Sequence, residues 1–323
     1  MILVFVERGP EVIDPLSAQA LTLGRRVAEA VGEPLGAVAV GGDHASLASA
    51  LGGFGVERVH LVLDDRLEPY APHGWARGVS DAIDASGPSI VLASGGERST
   101  EVLARVAAIR GLPMAANCID VRPGEPFLVT RHRWAGSLLE EAAIDAPVKL
   151  LTVAPHAVAA EPVGDAATAS VEVVEPTLKD EDLRVRVTGI TRKLREGVAL
   201  TDAKVVVGGG RGVGGAEGFG QLEELARLLG GTVGVSRVVT SAGWRPHSDQ
   251  IGQTGARIAP ELYIACGISG AIQHMVGARG AKRILVINSD PDAPIVAKAD
   301  YAVIGDLHQV VPALISAIRE ATG

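Results

Sequence analysis

A glycine run, Gly208-Gly209-Gly210-Arg211-Gly212-Val213-Gly214-Gly215, follows an apolar stretch from Lys204 to Val207 and precedes a helical pattern. It holds a G-x-G-x-x-G at Gly210, Gly212 and Gly215, a spacing at which missing side chains let main-chain N–H groups approach a pyrophosphate. No Gly-Lys-Ser/Thr closes the run, so it is not a triphosphate-binding loop. Ser236-Arg237 stands roughly 20 positions on, where a ribose-binding acid is usual. A plain tight turn is the competing reading. In Leu262 to His274, an apolar strand ends in Gly267 and Ser269-Gly270 open a helix. The free N–H groups and positive dipole end of that helix make an anion site. Gln273 and His274 fall in its first turn, within reach of the same ligand, although His274 taken alone reads as a structural histidine. Gln250-Ile251-Gly252-Gln253-Thr254-Gly255 is rich in hydrogen-bond donors and permits close backbone approach, or is an ordinary polar loop. Asn288-Ser289-Asp290-Pro291 and Asp306-Leu307 end two further strands, where crevices of α/β sheets lie.

The elements that position these groups alternate between strand and helix. In the first half, strands over Ile2–Val6, Leu35–Val40, His60–Leu63 and Ser89–Ala93 are predicted. Between them lie helices over Ser17–Val31, Trp75–Ala85 and Thr100–Arg110. After Pro113 come short strand-like pieces, Phe127–Thr130, Val148–Val153 and Val171–Val174. A second series runs Lys204–Val207, a helix Leu222–Leu229, Thr232–Val235, Leu262–Ile268, a helix from Ala271, Arg283–Asn288, Tyr301–Ile304 and a helix from Gln309. The fold class is α/β, with two doubly wound, mainly parallel sheets, the first Rossmann-like. Domains are expected over 1–195 and 203–323, with the boundary between Thr188 and Asp202. The period-free connection from Val239 to Pro260 is too polar and too long for a plain link and is read as functional.

Composition narrows the chemistry. A core of Ala, Val, Leu and Ile, with 47% apolar but 3% aromatic residues, suits helix-covered parallel sheets better than a sandwich. A formal charge of −8 without a basic block argues against nucleic acid and against an anionic membrane surface. Cys118 and Cys266 sit far apart in apolar segments and read as core, so neither a disulfide nor a metal site is expected. The opening Met-Ile-Leu-Val-Phe-Val reads as a first strand, not a signal peptide. No stretch has the roughly 18 apolar residues of a membrane helix, so a cytoplasmic protein without membrane insertion is expected.

From Lys204 onward the chain resembles the α subunit of the electron transfer flavoproteins. The resemblance runs through Gly209-Gly210-Arg211-Gly212, Ser236-Arg237, Gly252 to Gly255, Ala259 to Ile264, Ile268 to His274, Asn288, Asp290-Pro291, Ala293 to Ile295, Ala299 to Tyr301 and Asp306-Leu307. It implies FAD, one per α subunit, with AMP or a second FAD in the partner. It implies FAD-binding roles for Arg211, Ser236, Arg237, Ile251, Gly252, Gln253, Thr254, Ser269, Gly270, Ala271, Ile272, Gln273, His274, Asn288, Asp306 and Leu307. Arg237 is implied beside the flavin ring, Thr254 near its reactive nitrogen and His274 near the carbonyl of its pyrimidine edge. The sequence departs from the family pattern at Ser289, a place often taken by Lys, and at Val213 to Ala216, where longer polar residues are common. The expected partners are a homologous β subunit contacting the first domain, flavin dehydrogenases such as acyl-CoA dehydrogenases of fatty acid β-oxidation as donors, and a quinone oxidoreductase as acceptor. No nucleophile stands beside a base, so a carrier is expected rather than an enzyme. Two other classes stand beside it: an NADP-dependent oxidoreductase subunit, in which Arg237 meets the 2′-phosphate, and a non-catalytic nucleotide-binding regulator.

Overall fold

Five buried, all-apolar residues, Ile2–Val6, form the strand from which the first sheet grows in both directions. A strand buried on both faces reads as an unbroken apolar run because helices cover each side. The computed structural model describes residues 1–9, 12–136, 138–163, 167–189 and 198–322. They fall into two units, Met1–Thr191 and Arg192–Gly323. Residues 190–197, within the expected boundary, lie outside the described ones.

In the first unit the order is β1 (Ile2–Val6), α1 (Pro15–Val31), β2 (Leu35–Val40), α2 (His44–Gly52), β3 (Arg58–Val62), α3 (Pro72–Ser86), β4 (Ile90–Ser94), α4 (Glu97–Arg110), β5 (Met114–Arg122), β6 (Leu128–Arg133), β7 (Leu138–Ala143), β8 (Lys149–Val153) and β9 (Ser170–Val174). Its nine described strands lie in the order β7-β6-β5-β8-β4-β1-β2-β3-β9. Pairing is parallel from β5 to β9, whereas β5, β6 and β7 pair antiparallel as a wing at one edge. The turn of the chain at α1 is written locally. Asp14 caps the helix by accepting from Leu16 and Ser17 N–H at 3.0 Å, Pro15 fills the first turn, and Gly32 closes the helix at φ 70°. At the point where this sheet reverses its order, between β1 and β4, the chain's own Glu7 carboxylate accepts from Ser99 N–H at 2.9 Å in the first turn of α4. Burial raises the Glu7 pKa, and the Ser99 hydrogen bonds oppose that rise.

The second unit continues with β10 (Val205–Gly209), α5 (Phe219–Leu228), β11 (Thr232–Val235), α6 (Arg237–Ser241), β12 (Leu262–Cys266), α7 (Ile272–Ala278), β13 (Ile284–Asn288), β14 (Tyr301–Ile304) and α8 (Leu307–Thr322). All pairs are parallel and the order is β11-β10-β12-β13-β14. One face packs Val206, Tyr263, Ala265 and Val286 against Ile251 and Met275 of the α7 side. The other packs Val207, Ile264 and Cys266 against Phe219, Leu222 and Ile315 of α5 and α8. Winding changes direction between β10 and β12, which leaves a crevice at the carboxyl ends of those two strands. Both cysteines are buried and free, and burial pushes each thiol up to about 12, so both stay protonated core groups. Among the described residues no helix is long and apolar enough to cross a membrane, and no cluster of His, Cys, Asp or Glu could hold a metal ion.

Candidate functional site

The crevice at the reversal of the second sheet is a cleft of ≈ 570 Å³, within the range of small-molecule sites. Fifteen of the sixteen residues singled out in the sequence border it: Arg211, Ser236, Arg237, Ile251 to Thr254, Ser269 to Ala271, Gln273, His274, Asn288, Asp306 and Leu307. Ile272 does not, and its side chain is 58% exposed. Gly212, Val238, Gln250, Gly267, Ile268, Ser289, Asp290 and Ala293 also line the cleft and were not assigned to it. Gln250 carried a usable signal, because it opens the same donor-rich loop as Thr254.

The glycine run does something other than its spacing suggests. A methyl group at Gly210 would collide with the Gly267 carbonyl oxygen, and one at Gly212 would lie 2.7 Å from the Gly267 Cα. Gly210 N–H donates to Cys266 O at 2.9 Å, and Gly212 N–H donates to Gly267 O at 3.1 Å. The turn after β10 is thus laid directly on the turn after β12, and both N–H groups are already bonded to protein. They form no pyrophosphate cradle. The next long helix, α5, starts only at Phe219, so its dipole does not act at this turn either.

The connection from Val239 to Pro260 is pinned to its neighbours. Ile251 N–H donates to Val235 O at 2.8 Å, Gln253 N–H to Gln273 O at 2.8 Å, and Ile258 N–H to Gly277 O at 2.8 Å. Gly252 sits at φ 148°, and a side chain there would press to 2.9 Å from Gln273 O. This conformation is open to glycine and strained for other residues. The loop holds Thr254 through Gln250, which is 2% exposed: Gln250 Nε2 donates to Thr254 Oγ1 at 3.0 Å, and Thr240 Oγ1 donates to Gln250 Oε1 at 2.7 Å. Thr254 accepts from the amide and keeps its own proton to donate.

Donors dominate the rest of the cleft. The main-chain N–H groups of Ser269, Gly270 and Ala271 meet no protein acceptor among the described residues. Helix α7 begins at Ile272, one residue later than the Ala271 start expected from the sequence, with Ala271 as its cap. Ser236 Oγ and His274 Nδ1 are buried without a hydrogen-bond partner, a state that native structures rarely leave unanswered. Asn288 is largely committed to the fold, donating to Ile268 O at 2.9 Å and accepting from Asp290 N–H at 3.1 Å. Asp306 accepts from His308 N–H at 2.9 Å at the start of α8. Arg211 and Arg237 are exposed and meet no carboxylate among the described residues.

His274 is 6% exposed and its Nε2 lies 2.7 Å from the Tyr263 hydroxyl. Burial lowers its pKa to about 4, with the Ile251 main chain opposing that fall, so the ring is neutral near pH 7. In the unfolded chain the ring takes up a proton below about 6.5, while the folded ring stays neutral down to about 4. The unfolded state therefore binds more protons in that window, and stability falls as pH drops through it and is level above it. The interval amounts to about 3 kcal/mol. Denaturant titrations of the ligand-free chain should show this fall between pH 6.5 and 4, and His274→Gln should flatten it; equal slopes for the two proteins would exclude the buried neutral ring as the cause.

Comparison with known proteins is consistent along the whole chain. Residues 2–179 match the electron transfer flavoprotein domain, and residues 199–279 match the electron transfer flavoprotein FAD-binding domain. Similar proteins include an electron transfer flavoprotein subunit alpha from Thermoanaerobacterium thermosaccharolyticum, 34% identical over 98% of this chain and 97% of that one. A subunit of the same name from Mycobacterium tuberculosis is 36% identical over 100% of this chain and 99% of its own. Protein FixB of Clostridium saccharobutylicum is 36% identical over 98% and 96%.

Proposed function

We propose a function whose premise is that this chain belongs to the electron transfer flavoprotein α-subunit family. It holds one FAD in the cleft of its second unit, pairs with a homologous β subunit that carries AMP or a second FAD, and works as a cytoplasmic heterodimer. It receives electrons from flavin dehydrogenases, such as acyl-CoA dehydrogenases, and passes them to a quinone oxidoreductase. It carries electrons and has no small substrate of its own.

The observation that supports this reading is the pair of buried orphan groups, Ser236 Oγ and His274 Nδ1, on the wall of a cleft that also carries the unpaired Arg237. A donor-lined site with an added cation fits a ligand that is electron-rich or becomes so. FAD, when bound, supplies a ring that takes up and releases electrons singly or in pairs. The chain supplies the surroundings. Arg237 contributes a positive charge, His274 a neutral donor, Thr254 a hydroxyl proton oriented by Gln250, and the N–H groups ahead of α7 a set of fixed dipoles. Preorganised donors of this kind stabilise charge without having to reorganise when it arrives. The NADP reading loses one of its two motives, because the N–H groups of Gly210 and Gly212 are bonded within the protein, and keeps only Arg237 on the cleft.

The test is direct. The chain co-expressed with its partner should purify yellow, with flavin absorption that bleaches on reduction and one FAD released per α chain. A colourless complex that refuses added FAD would end the proposal, and a complex retaining NADP would replace it with the dehydrogenase reading.

A further inference from the structure

We infer that Tyr263 is a positioning residue: its buried hydroxyl donates to His274 Nε2 and thereby fixes the imidazole as the Nδ1–H tautomer, the form that keeps a donor for the cleft ligand. The inference rests on the FAD reading above for what the donor is used on, but its structural part stands on the ligand-free chain. Tyr263 has no exposed surface, and among the described residues its hydroxyl has one hydrogen-bond partner, His274 Nε2 at 2.7 Å. A phenol has a single proton, and a neutral imidazole has one donor nitrogen and one acceptor.

Two arrangements are open to the pair. If Nε2 carries the proton and donates to the phenol oxygen, the phenol proton has nowhere to go, and Nδ1 is left as a bare buried acceptor on a ring whose Ile251 main-chain neighbour favours protonation. If the phenol donates to Nε2, its proton is satisfied and Nδ1–H is the ring's remaining donor. The second arrangement strands fewer buried groups, and that is the arrangement a folded protein adopts. Nδ1 is unpartnered in the structure, on a residue that borders the cleft. The low basicity of the ring agrees, since no proton sits on both nitrogens near neutral pH.

The sheet is built to hold the phenol in place. Tyr263 pairs in register with Val206, and Gly208 is the next residue of β10 on the same face. A methyl group at Gly208 would collide with the Tyr263 hydroxyl and lie 2.6 Å from its Cε2. The first glycine of the run therefore makes room for this tyrosine, a use the run's spacing did not suggest.

The experiment is nitrogen NMR of the full-length chain, labelled with 15N-histidine, with FAD and after its removal. The wild-type His274 ring should give a pyrrole-type signal for Nδ1 and a pyridine-type signal for Nε2, with or without FAD. Tyr263→Phe, which keeps the ring and removes the hydroxyl, should abolish that pattern, and Gly208→Ala, which displaces the phenol, should do the same. A wild-type ring protonated at Nε2, or a pattern unchanged in both variants, would overturn the inference. In the loaded protein, losing the oriented donor should shift the first-electron equilibrium about tenfold against reduction, about 59 mV for a one-electron couple. A tautomer that changes while the potential does not would leave the positioning role standing and count against the FAD reading instead.

Discussion

Gly210→Val is expected to abolish flavin retention by the second unit. The added side chain meets the Gly267 carbonyl oxygen, so the turns after β10 and β12 must separate, and the bonds from Gly210 N–H to Cys266 O and from Gly212 N–H to Gly267 O go with them. Overpacking and two lost main-chain bonds together cost roughly 2–6 kcal/mol. That is comparable to the whole stability of a domain, about 5–15 kcal/mol. The measurement is flavin absorbance after gel filtration, alongside thermal unfolding. The control is Gly220→Ala in α5, where an added methyl meets nothing within 4 Å, and where replacing glycine in a helix is neutral to favourable. A Gly210→Val protein that stays yellow with an unchanged melting point would show that the two turns need not touch.

Arg237→Ala is expected to lower the potential of the first electron while leaving the fold unchanged. Arg237 borders the cleft and has no carboxylate partner among the described residues, so its charge is not cancelled locally. Removing an exposed cation near a site that gains negative charge should cost tens of millivolts, on the scale of about 59 mV per tenfold change for one electron. Arg237→Lys should restore most of it, because the charge returns without the planar fork. Stepwise reduction of the three proteins reads the result directly. Identical potentials in all three would remove Arg237 from any role in tuning the flavin.

The elements most legible in the sequence were short apolar runs, whether buried on both faces like Ile2–Val6 or exposed like Tyr301–Ile304. Ile2–Val6, Leu35–Val40, Thr232–Val235 and Tyr301–Ile304 have the expected limits, because turn residues bound short β-branched runs. Helix α2 went unread: His44–Gly52 is mostly Ala and Ser, with Leu47 and Leu51 as its only bulky apolar residues, too few to set a period. Its local signal was Asp43, whose carboxylate accepts from Ser46 N–H at 2.8 Å. Strand β5 was missed because a register shift between Ala115 and Cys118, with Asn117 at φ 59°, breaks its alternation. Many of the sequence-picked residues meet in one cleft for a simple reason: they follow strands of one parallel sheet, whose carboxyl ends share an edge. The roles of Gly208, Gly210 and Gly212 were not readable, because the atoms that crowd them belong to β12 and the turn beyond it. Local spacing records that room is needed, not for what.

The frame of the cleft is held by peptide groups: the turn after β10 on the turn after β12, the 250–258 loop on β11 and α7. Outward-facing positions such as Val238 and Gln253 contribute no side-chain bond to that frame. Those positions are therefore interchangeable parts on a fixed chassis. A graded series of carriers, each calibrated to a different voltage, can be cut from this one scaffold by swapping them, with no need to redesign the seat itself.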